Sequence, residues 1–246
     1  MTDEVEVVVA HAERTTVRVG DVFVKIDGDA DRLAREARSM AAAPVPTADV
    51  LWQQEHVLAL AALPGAALGR LGAPSTASAA AWTAAGAMVR RLHGTPPPPW
   101  PGRVPDRHRA ELAEACAWIV ANGVLTERIV DRNRQVAEAA FRPFAPAFTH
   151  GDLQLDHVFV AGDEVVGVLD WSEAGRGDPV FDLAVLTLGH EERLDEVLAG
   201  YGAEVDVAVI RGWWSLRCLT SMRWLIEHGF DPATPGGEVD VLLARM

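Results

Sequence analysis

Residues 149–184 decide the fold of this chain and read THGDLQLDHVFVAGDEVVGVLDWSEAGRGDPVFDLA. Within them, two short runs rich in β-branched residues, Val158 to Val160 and Val165 to Leu169, lie on either side of Ala161-Gly162-Asp163-Glu164. Such runs are typical of strands, and a Gly-Asp pair between two of them is typical of a tight turn. The stretch therefore predicts an antiparallel β-hairpin.

Polar side chains gather at the open end of this hairpin. His157 precedes the first strand and Asp170 follows the second, so antiparallel pairing brings the two residues to the same end. His150 and Asp152 lie on the loop that leads in. Because neighbouring strands are about 5 Å apart, side chains from both could hold a metal ion and a phosphate group together.

The composition is that of a folded globular protein with an acidic surface. The 246 residues are 49% hydrophobic and 23% charged, with a net charge of −13, and they suffice for one large domain or two small lobes. Nucleic acids and anionic membranes both require a basic surface. We therefore expect neither as a partner. The acidity favours a cationic small molecule, although solubility alone would also explain it.

Cysteine usage favours a reducing compartment. Cys116 and Cys218 form no CxxC pattern, and each lies in an apolar helical stretch. We therefore predict two buried free thiols and a cytoplasmic protein. The longest apolar run, residues 57–69, is interrupted by Pro64-Gly65 and is too short to span a bilayer.

Only one of the 22 basic residues is a lysine, Lys25, and the other 21 are arginines. A lone lysine in an apolar strand of such a chain indicates a site where an arginine side chain would not be suitable. An ammonium group is a compact point charge that suits a phosphate in a narrow cleft, whereas a guanidinium is a wide planar fork. Lys25 is therefore a candidate phosphate ligand.

The first quarter of the chain predicts a small antiparallel sheet with one helix. The predicted strands are Val5 to Ala10, Thr15 to Val19, Val22 to Ile26, Val50 to Gln53 and Val57 to Ala62, and the predicted helix is Asp29 to Ala43. The link His11-Ala12-Glu13-Arg14 contains no glycine, so its backbone cannot cradle phosphates by close approach. Leu63-Pro64-Gly65 predicts a hinge, and hence a boundary between residues 1–64 and 65–246.

The second part of the chain is mainly helical in pattern. The predicted helices are one that ends at His93-Gly94, one from Asp106 to Asn122, one from Thr126 to before Pro143, one from Pro179 to Gly189 and one from Val205 to Gly229. With the hairpin, they predict an α+β protein in which a sheet-rich N-terminal lobe precedes a helical C-terminal lobe.

The motifs of the hairpin region resemble the catalytic segment of the aminoglycoside phosphotransferase family, whose members are related to protein kinases. The resemblance is carried by His150-Gly151-Asp152, Leu169-Asp170-Trp171, Gly177-Asp178-Pro179 and Asp182-Leu183-Ala184 at the family's spacing. The order of strands, lysine, helix and hinge also resembles a kinase amino-terminal lobe. The resemblance covers nearly the whole chain and implies a two-lobed, protein-kinase-like fold.

The resemblance also implies roles for five residues. Lys25 would contact the α- and β-phosphates of a nucleotide, and Glu36 from the following helix would hold it, although a solvated helix charge is the alternative for Glu36. Asp152 would align the acceptor hydroxyl and take its proton. Asp170 and His157 would bind the metal ion.

His157 is the one departure from the usual motif, in which asparagine stands at this place. The resemblance is closest to the macrolide-kinase branch, where histidine also occurs there. Imidazole prefers Mn²⁺ or Zn²⁺ to Mg²⁺, so Mg²⁺ is the expected ion and Mn²⁺ the alternative. If it does not bind metal, His157 is expected only to form a hydrogen bond with Asp152 or the loop.

The predicted function is transfer of the γ-phosphate of ATP or GTP to a hydroxyl of a small molecule. An antibiotic such as an aminoglycoside or macrolide is the first expectation for the acceptor, which would make the protein a resistance enzyme. Two alternatives stay open: a metabolic kinase for choline, homoserine or a sugar, and an inactive nucleotide-binding pseudokinase. Trp213, Trp214 and Trp224 would suit an apolar or choline-like acceptor, but core packing explains them as well.

Overall fold

The computed structural model describes residues 5–10, 14–102 and 105–246. Its N-terminal part is a five-stranded antiparallel sheet in the order β1-β2-β3-β5-β4. The strands are β1 (Val5–Ala10), β2 (Arg14–Val19), β3 (Val22–Asp27), β4 (Val50–Gln54) and β5 (Val57–Ala61), and helix α1 (Ala30–Ala42) joins β3 to β4. The predicted strands and helix are confirmed to within one residue at each end. Residues 11–13 of the predicted glycine-free link lie outside the described residues.

Helix α1 begins where its sequence predicts. Asp29 caps it, because its side chain accepts hydrogen bonds from the backbone N–H groups of Asp31 and Arg32. Its buried face carries Leu33, Met40 and Glu36, and the glutamate is fully buried. A carboxylate on the apolar face of a helix requires a partner, and this one faces the sheet.

The C-terminal part is mainly helical, which confirms the α+β class. Its elements are β6 (Ala66–Ala67), α2 (Ala79–His93), α3 (Pro105–Ala121), α4 (Glu127–Ala137), β7 (Ala147–Thr149), β8 (Val158–Ala161), β9 (Glu164–Val168), β10 (Gly175–Gly177), α5 (Pro179–Thr187), α6 (Leu194–Tyr201), α7 (Val207–Glu227) and α8 (Glu238–Leu243). Helices α6 and α8 and the short strands β6, β7 and β10 are additions to the predicted elements. No helix within the described residues is long and apolar enough to cross a membrane.

The predicted hairpin is confirmed. Strands β8 and β9 pair antiparallel, with Val158 opposite Val168, and Gly162 occupies the turn at a φ of +61°. This left-handed conformation explains the glycine there. The N–H of Leu169 donates to the carbonyl of His157 at 2.9 Å, which closes the open end of the hairpin.

The larger hydrophobic cluster draws on both parts of the chain. Leu33 and Leu58 from the sheet region pack in the same cluster as Trp82 from α2 and Val168 from β9. The N–H of Val168 also donates to the carbonyl of Pro46 at 3.0 Å. The boundary between residues 1–64 and 65–246 stays a prediction.

A second cluster lies among α3, α4, α5, α7 and α8. It contains Cys116 and Cys218, both of which are buried free thiols, as predicted. Elsewhere, α2 and α6 approach closely at Gly200, where an added Cβ would lie 1.8 Å from the Thr83 carbonyl oxygen. Only glycine permits this packing.

Candidate active site

Lys25 lies on β3 and points into the protein rather than to solvent. Its residue exposure is 8%, and its Nζ lies 2.5 Å from Oε1 of the fully buried Glu36. Burial raises the pKa of Glu36, and the charge of Lys25 opposes that rise. Oε2 of Glu36 has no hydrogen-bond partner within the described residues. Among the residues that the structure describes, Lys25 therefore supplies the direct side-chain partner of this carboxylate.

Asp170 follows β9 and lies on the other side of Lys25. Its Oδ1 is 3.4 Å from Lys25 Nζ. Its backbone has φ 60° and ψ 63°, a left-handed conformation that costs a non-glycine residue about 1 kcal/mol or more. Burial by itself would raise the pKa of Asp170, but the neighbouring basic side chains, first Lys25 and then His157 and Arg14, together lower it below its ordinary value. The side chain therefore stays ionised.

His157 lies between the two aspartates of the motif. Its Nδ1 is 2.9 Å from the backbone carbonyl oxygen of Asp152, and its Nε2 is 4.0 Å from Oδ2 of Asp170. Because a carbonyl only accepts, Nδ1 carries the proton, and the lone pair of a neutral ring lies on Nε2. The expected hydrogen bond to the loop is present and leaves Nε2 facing Asp170, while metal binding by His157 stays a prediction.

Asp152 lies on the loop that follows β7. Gln154 Nε2 donates to its Oδ2 at 2.9 Å, and Arg217 Nη2 on α7 donates to its Oδ1 at 3.0 Å. The side chain of Asp152 is 19% exposed. Two donors therefore orient the carboxylate while part of it stays accessible to solvent.

The loop before Asp152 is held in place by buried groups. Asp182 on α5 accepts hydrogen bonds from the backbone N–H groups of His150 at 2.8 Å and Gly151 at 2.9 Å. Gly151 has a φ of +80°, and an added Cβ would lie 2.4 Å from the carbonyl oxygen of Glu173. This position therefore requires glycine.

His150 has a structural place in the same loop. It is fully buried, and its Nε2 donates to the carbonyl of Leu169 at 2.9 Å, while its Nδ1 accepts from the Asp152 N–H at 3.3 Å. Burial lowers the pKa of His150. The neutral ring thus ties the Asp152 loop to the end of the hairpin.

Two arginines of the site were missed by the sequence interpretation. Arg14, at the start of β2, donates from Nη2 to both carboxylate oxygens of Asp170 at 2.9 and 3.0 Å. Arg217 is the second, through its contact with Asp152. The position of Arg14, at the end of the glycine-free β1–β2 link, could have marked it in the sequence as a candidate site residue. Arg217 offered none among 21 arginines.

Asp170 and His157 can supply one or two ligands to a divalent ion, which would take its other ligands from phosphates and water. No group of three or more His, Cys, Asp or Glu side chains that could hold a metal ion on its own occurs in the part of the chain that the structure describes. Mg²⁺ in nucleotide sites is typically held by one or two protein ligands, with phosphates and water completing the shell at about 2.0–2.1 Å. The 4.0 Å between His157 Nε2 and Asp170 Oδ2 leaves room for such an ion.

The tryptophans of α7 differ from one another. Trp213 and Trp214 are buried, which confirms their expected place in the core. Trp224 is 46% exposed and stacks on His228 with ring centroids 4.2 Å apart, so the core expectation was wrong for this residue.

Comparison with known proteins identifies close and distant relatives. Viomycin phosphotransferase of Streptomyces vinaceus is 37% identical over 134 residues, which is 46% of this chain and 47% of that protein. The matched part thus spans about half the length of that relative. The solved macrolide 2'-phosphotransferase of Brachybacterium faecium has a TM-score of 0.67 at 19% identity, covering 98% of this chain and 91% of its own.

A second solved structure, the GDP complex of aminoglycoside 2'-phosphotransferase-IIIa, has a TM-score of 0.73 at 18% identity, covering 100% of this chain and 93% of its own. These likenesses confirm the expected kinase-like fold over nearly the whole length. A model described as the phosphotransferase enzyme family matches residues 6–217, well over half of the sequence. The chain therefore belongs to the phosphotransferase enzyme family.

Proposed function

We propose that this protein transfers the γ-phosphoryl group of a nucleoside triphosphate to a hydroxyl of a small molecule, first of all an antibiotic. The observation that carries the proposal is the convergence on Asp170, which lies 3.4 Å from Lys25 Nζ and 4.0 Å from His157 Nε2. Family membership supports the reaction class. The names of the relatives, which are viomycin, macrolide and aminoglycoside phosphotransferases, support an antibiotic acceptor.

On the donor side, Lys25 would neutralise the α- and β-phosphates. Glu36 would keep the Lys25 ammonium group in position, since the two buried side chains lie 2.5 Å apart. Asp170 and His157 would hold Mg²⁺, with Mn²⁺ as the alternative, and such an ion would supply charge neutralisation for the phosphates. Both ATP and GTP are proposed donors; a related structure holds GDP.

On the acceptor side, Asp152 would accept a hydrogen bond from the acceptor hydroxyl and take its proton as the new bond forms. The acceptor oxygen then bonds to the γ-phosphorus, and the bond from that phosphorus to the β,γ-bridging oxygen breaks. The products are a phosphate ester and a nucleoside diphosphate. Gln154 and Arg217 would align the Asp152 carboxylate for this step.

A phosphate-transfer screen tests the proposal. The protein is incubated with Mg²⁺, ATP or GTP, and a panel of peptide antibiotics of the viomycin type, macrolides, aminoglycosides, choline, homoserine and sugars. Phosphorylated product is detected by mass spectrometry. We expect product with an antibiotic, loss of at least 100-fold in kcat for Asp152→Asn, and normal turnover for Asp156→Asn, which alters an exposed carboxylate of the same loop.

Other outcomes would redirect the assignment. Product with choline, homoserine or a sugar alone would make the protein a metabolic kinase. Nucleotide binding with no transfer to any acceptor would favour an inactive nucleotide-binding pseudokinase. If Asp152→Asn turned over as fast as the unaltered protein, Asp152 would have no part in the mechanism. A cytoplasmic location is also proposed, supported by the two buried free thiols.

A further inference from the structure

Arg14 makes an unusual contact across the candidate active site. It comes from the first position of β2 in the sheet, and its guanidinium reaches Asp170 at the end of the hairpin, 156 residues away in sequence. A single nitrogen, Nη2, lies 2.9 Å from one carboxylate oxygen and 3.0 Å from the other. The guanidinium thus covers the same oxygens that a metal ion would use.

Two positive and two negative side chains pair with one another around Asp170. Lys25 and Arg14 supply two positive charges, and Glu36 and Asp170 supply two negative ones. A divalent cation bound to Asp170 would lie within a few ångströms of the Arg14 guanidinium, and two like charges at that distance repel strongly. Arg14 must then find another anion. The nearby carboxylates of Glu36 and Asp27 already pair with Lys25 and Arg32, which leaves the phosphates that arrive with the metal.

The sequence of the β1–β2 link gives a second reason. Residues His11 to Arg14 contain no glycine, so the backbone there is not suited to close approach to phosphates. The Arg14 guanidinium, at the end of the same link, can contact the phosphates in place of the backbone, because its planar fork matches phosphate oxygens.

We propose that Arg14 is a two-position residue of the donor site: it bonds the Asp170 carboxylate in the nucleotide-free protein and the outer phosphates of the bound nucleotide. This inference rests on the proposed nucleotide-dependent function. It assigns to one side chain the phosphate contact that a glycine-rich loop would otherwise provide.

Removing Arg14 should have opposite effects on two ligands. Without its competitor, Asp170 is free to bind a divalent ion, so Arg14→Gln should bind Mn²⁺ alone several-fold more tightly. The same variant should bind a non-hydrolysable triphosphate analogue with Mg²⁺ about tenfold or more weakly, because a charge-assisted hydrogen bond is lost. Binding of the nucleoside monophosphate should change less than twofold.

The experiment measures Mn²⁺ affinity by electron paramagnetic resonance and nucleotide affinity by calorimetry, on the full chain. Arg18→Gln is the matched control, since Arg18 is an exposed residue four positions along the same strand, where it donates to the carbonyl of Gly20 and lies over the Phe23 ring. Arg14→Lys retains the charge without the fork and should recover part of the triphosphate affinity. It also provides a folded variant if Arg14→Gln is unstable.

The possible results separate a failure of the role of Arg14 from a failure of the proposed function. Unchanged triphosphate affinity in Arg14→Gln, or a parallel loss of Mn²⁺ and triphosphate affinity, would overturn the role of Arg14. If the unaltered protein and Arg18→Gln also bind no nucleotide, the proposed function itself fails. Nucleotide binding by both of these proteins, with no difference in Arg14→Gln, would leave the function standing and remove only this inference.

Discussion

Replacing Lys25 by methionine should destabilise the protein in a pH-dependent way. Glu36 is fully buried, its Oε1 contacts Lys25 at 2.5 Å, and its Oε2 has no hydrogen-bond partner within the described residues. Lys25→Met therefore leaves a buried carboxylate without its cation. Breaking a buried ion pair in this manner costs about 3–5 kcal/mol, which is a large part of the stability of an ordinary domain.

The sign of the pH dependence follows from the pKa of Glu36, which burial already raises and which Lys25 lowers. Without Lys25 the folded-state pKa rises further. Between the unfolded and folded pKa values the native state then binds more protons than the unfolded state, so stability falls as pH rises. The limit is about 1.4 kcal/mol per pH unit. The cost of Lys25→Met should thus be smaller at pH 5 than at pH 8.

Urea denaturation followed by tryptophan fluorescence measures this effect, since the chain has eight tryptophans. Arg18→Met removes the same charge from an exposed part of the neighbouring strand and corrects for the change in net charge. The double variant Lys25→Met, Glu36→Met should recover most of the loss, because it removes the buried charge as well. A cost that is equal at pH 5 and pH 8, or a double variant no more stable than Lys25→Met, would refute the reasoning.

Three further predictions concern the acceptor side and the metal. Arg217→Gln should lower kcat by about tenfold to a hundredfold with little change in nucleotide affinity, because Asp152 loses an aligning donor; equal kinetics for this variant and Arg211→Gln, an exposed control on the same helix, would argue against it. His157→Asn should shift the activity ratio from Mn²⁺ towards Mg²⁺ in a metal titration, since an amide oxygen is a harder ligand than imidazole; an unchanged ratio would exclude His157 as a ligand. Gly151→Ala should lower the free energy of unfolding by about 1–3 kcal/mol in urea denaturation, and wild-type stability would contradict the contact described above.

Local chemistry explains what could be predicted from the sequence. The hairpin was predictable because its β-branched runs and its Gly162 turn are specified by neighbouring residues. Lys25 stood out because it is the lone lysine of an arginine-rich chain. Both features need only a few consecutive residues or a simple count, and the structure places them on β8, β9 and β3 as expected.

Long-range contacts explain what could not be predicted. Arg14 and Arg217 reach their aspartates across 156 and 65 residues. The position of Arg14 next to the β1–β2 link set it apart in the sequence, but nothing around Arg217 distinguished it from the other arginines. The short strands β6, β7 and β10 have two or three residues each and exist only through partners elsewhere in the chain. Trp224 lies on the same helix as the buried Trp213 and Trp214, and the sequence alone did not separate it from them.

The cluster shared by the sheet and the helical part has a consequence for how this protein can change. Leu33 and Leu58 are covered by residues beyond position 65, and the Pro46 carbonyl receives the N–H of Val168, two residues before Asp170. The sheet-bearing N-terminal lobe is therefore not an exchangeable module. A chimera that takes this lobe from a distant relative would have to bring matching partners from α2 and β9, so donor preference and acceptor preference are expected to evolve together in this chain.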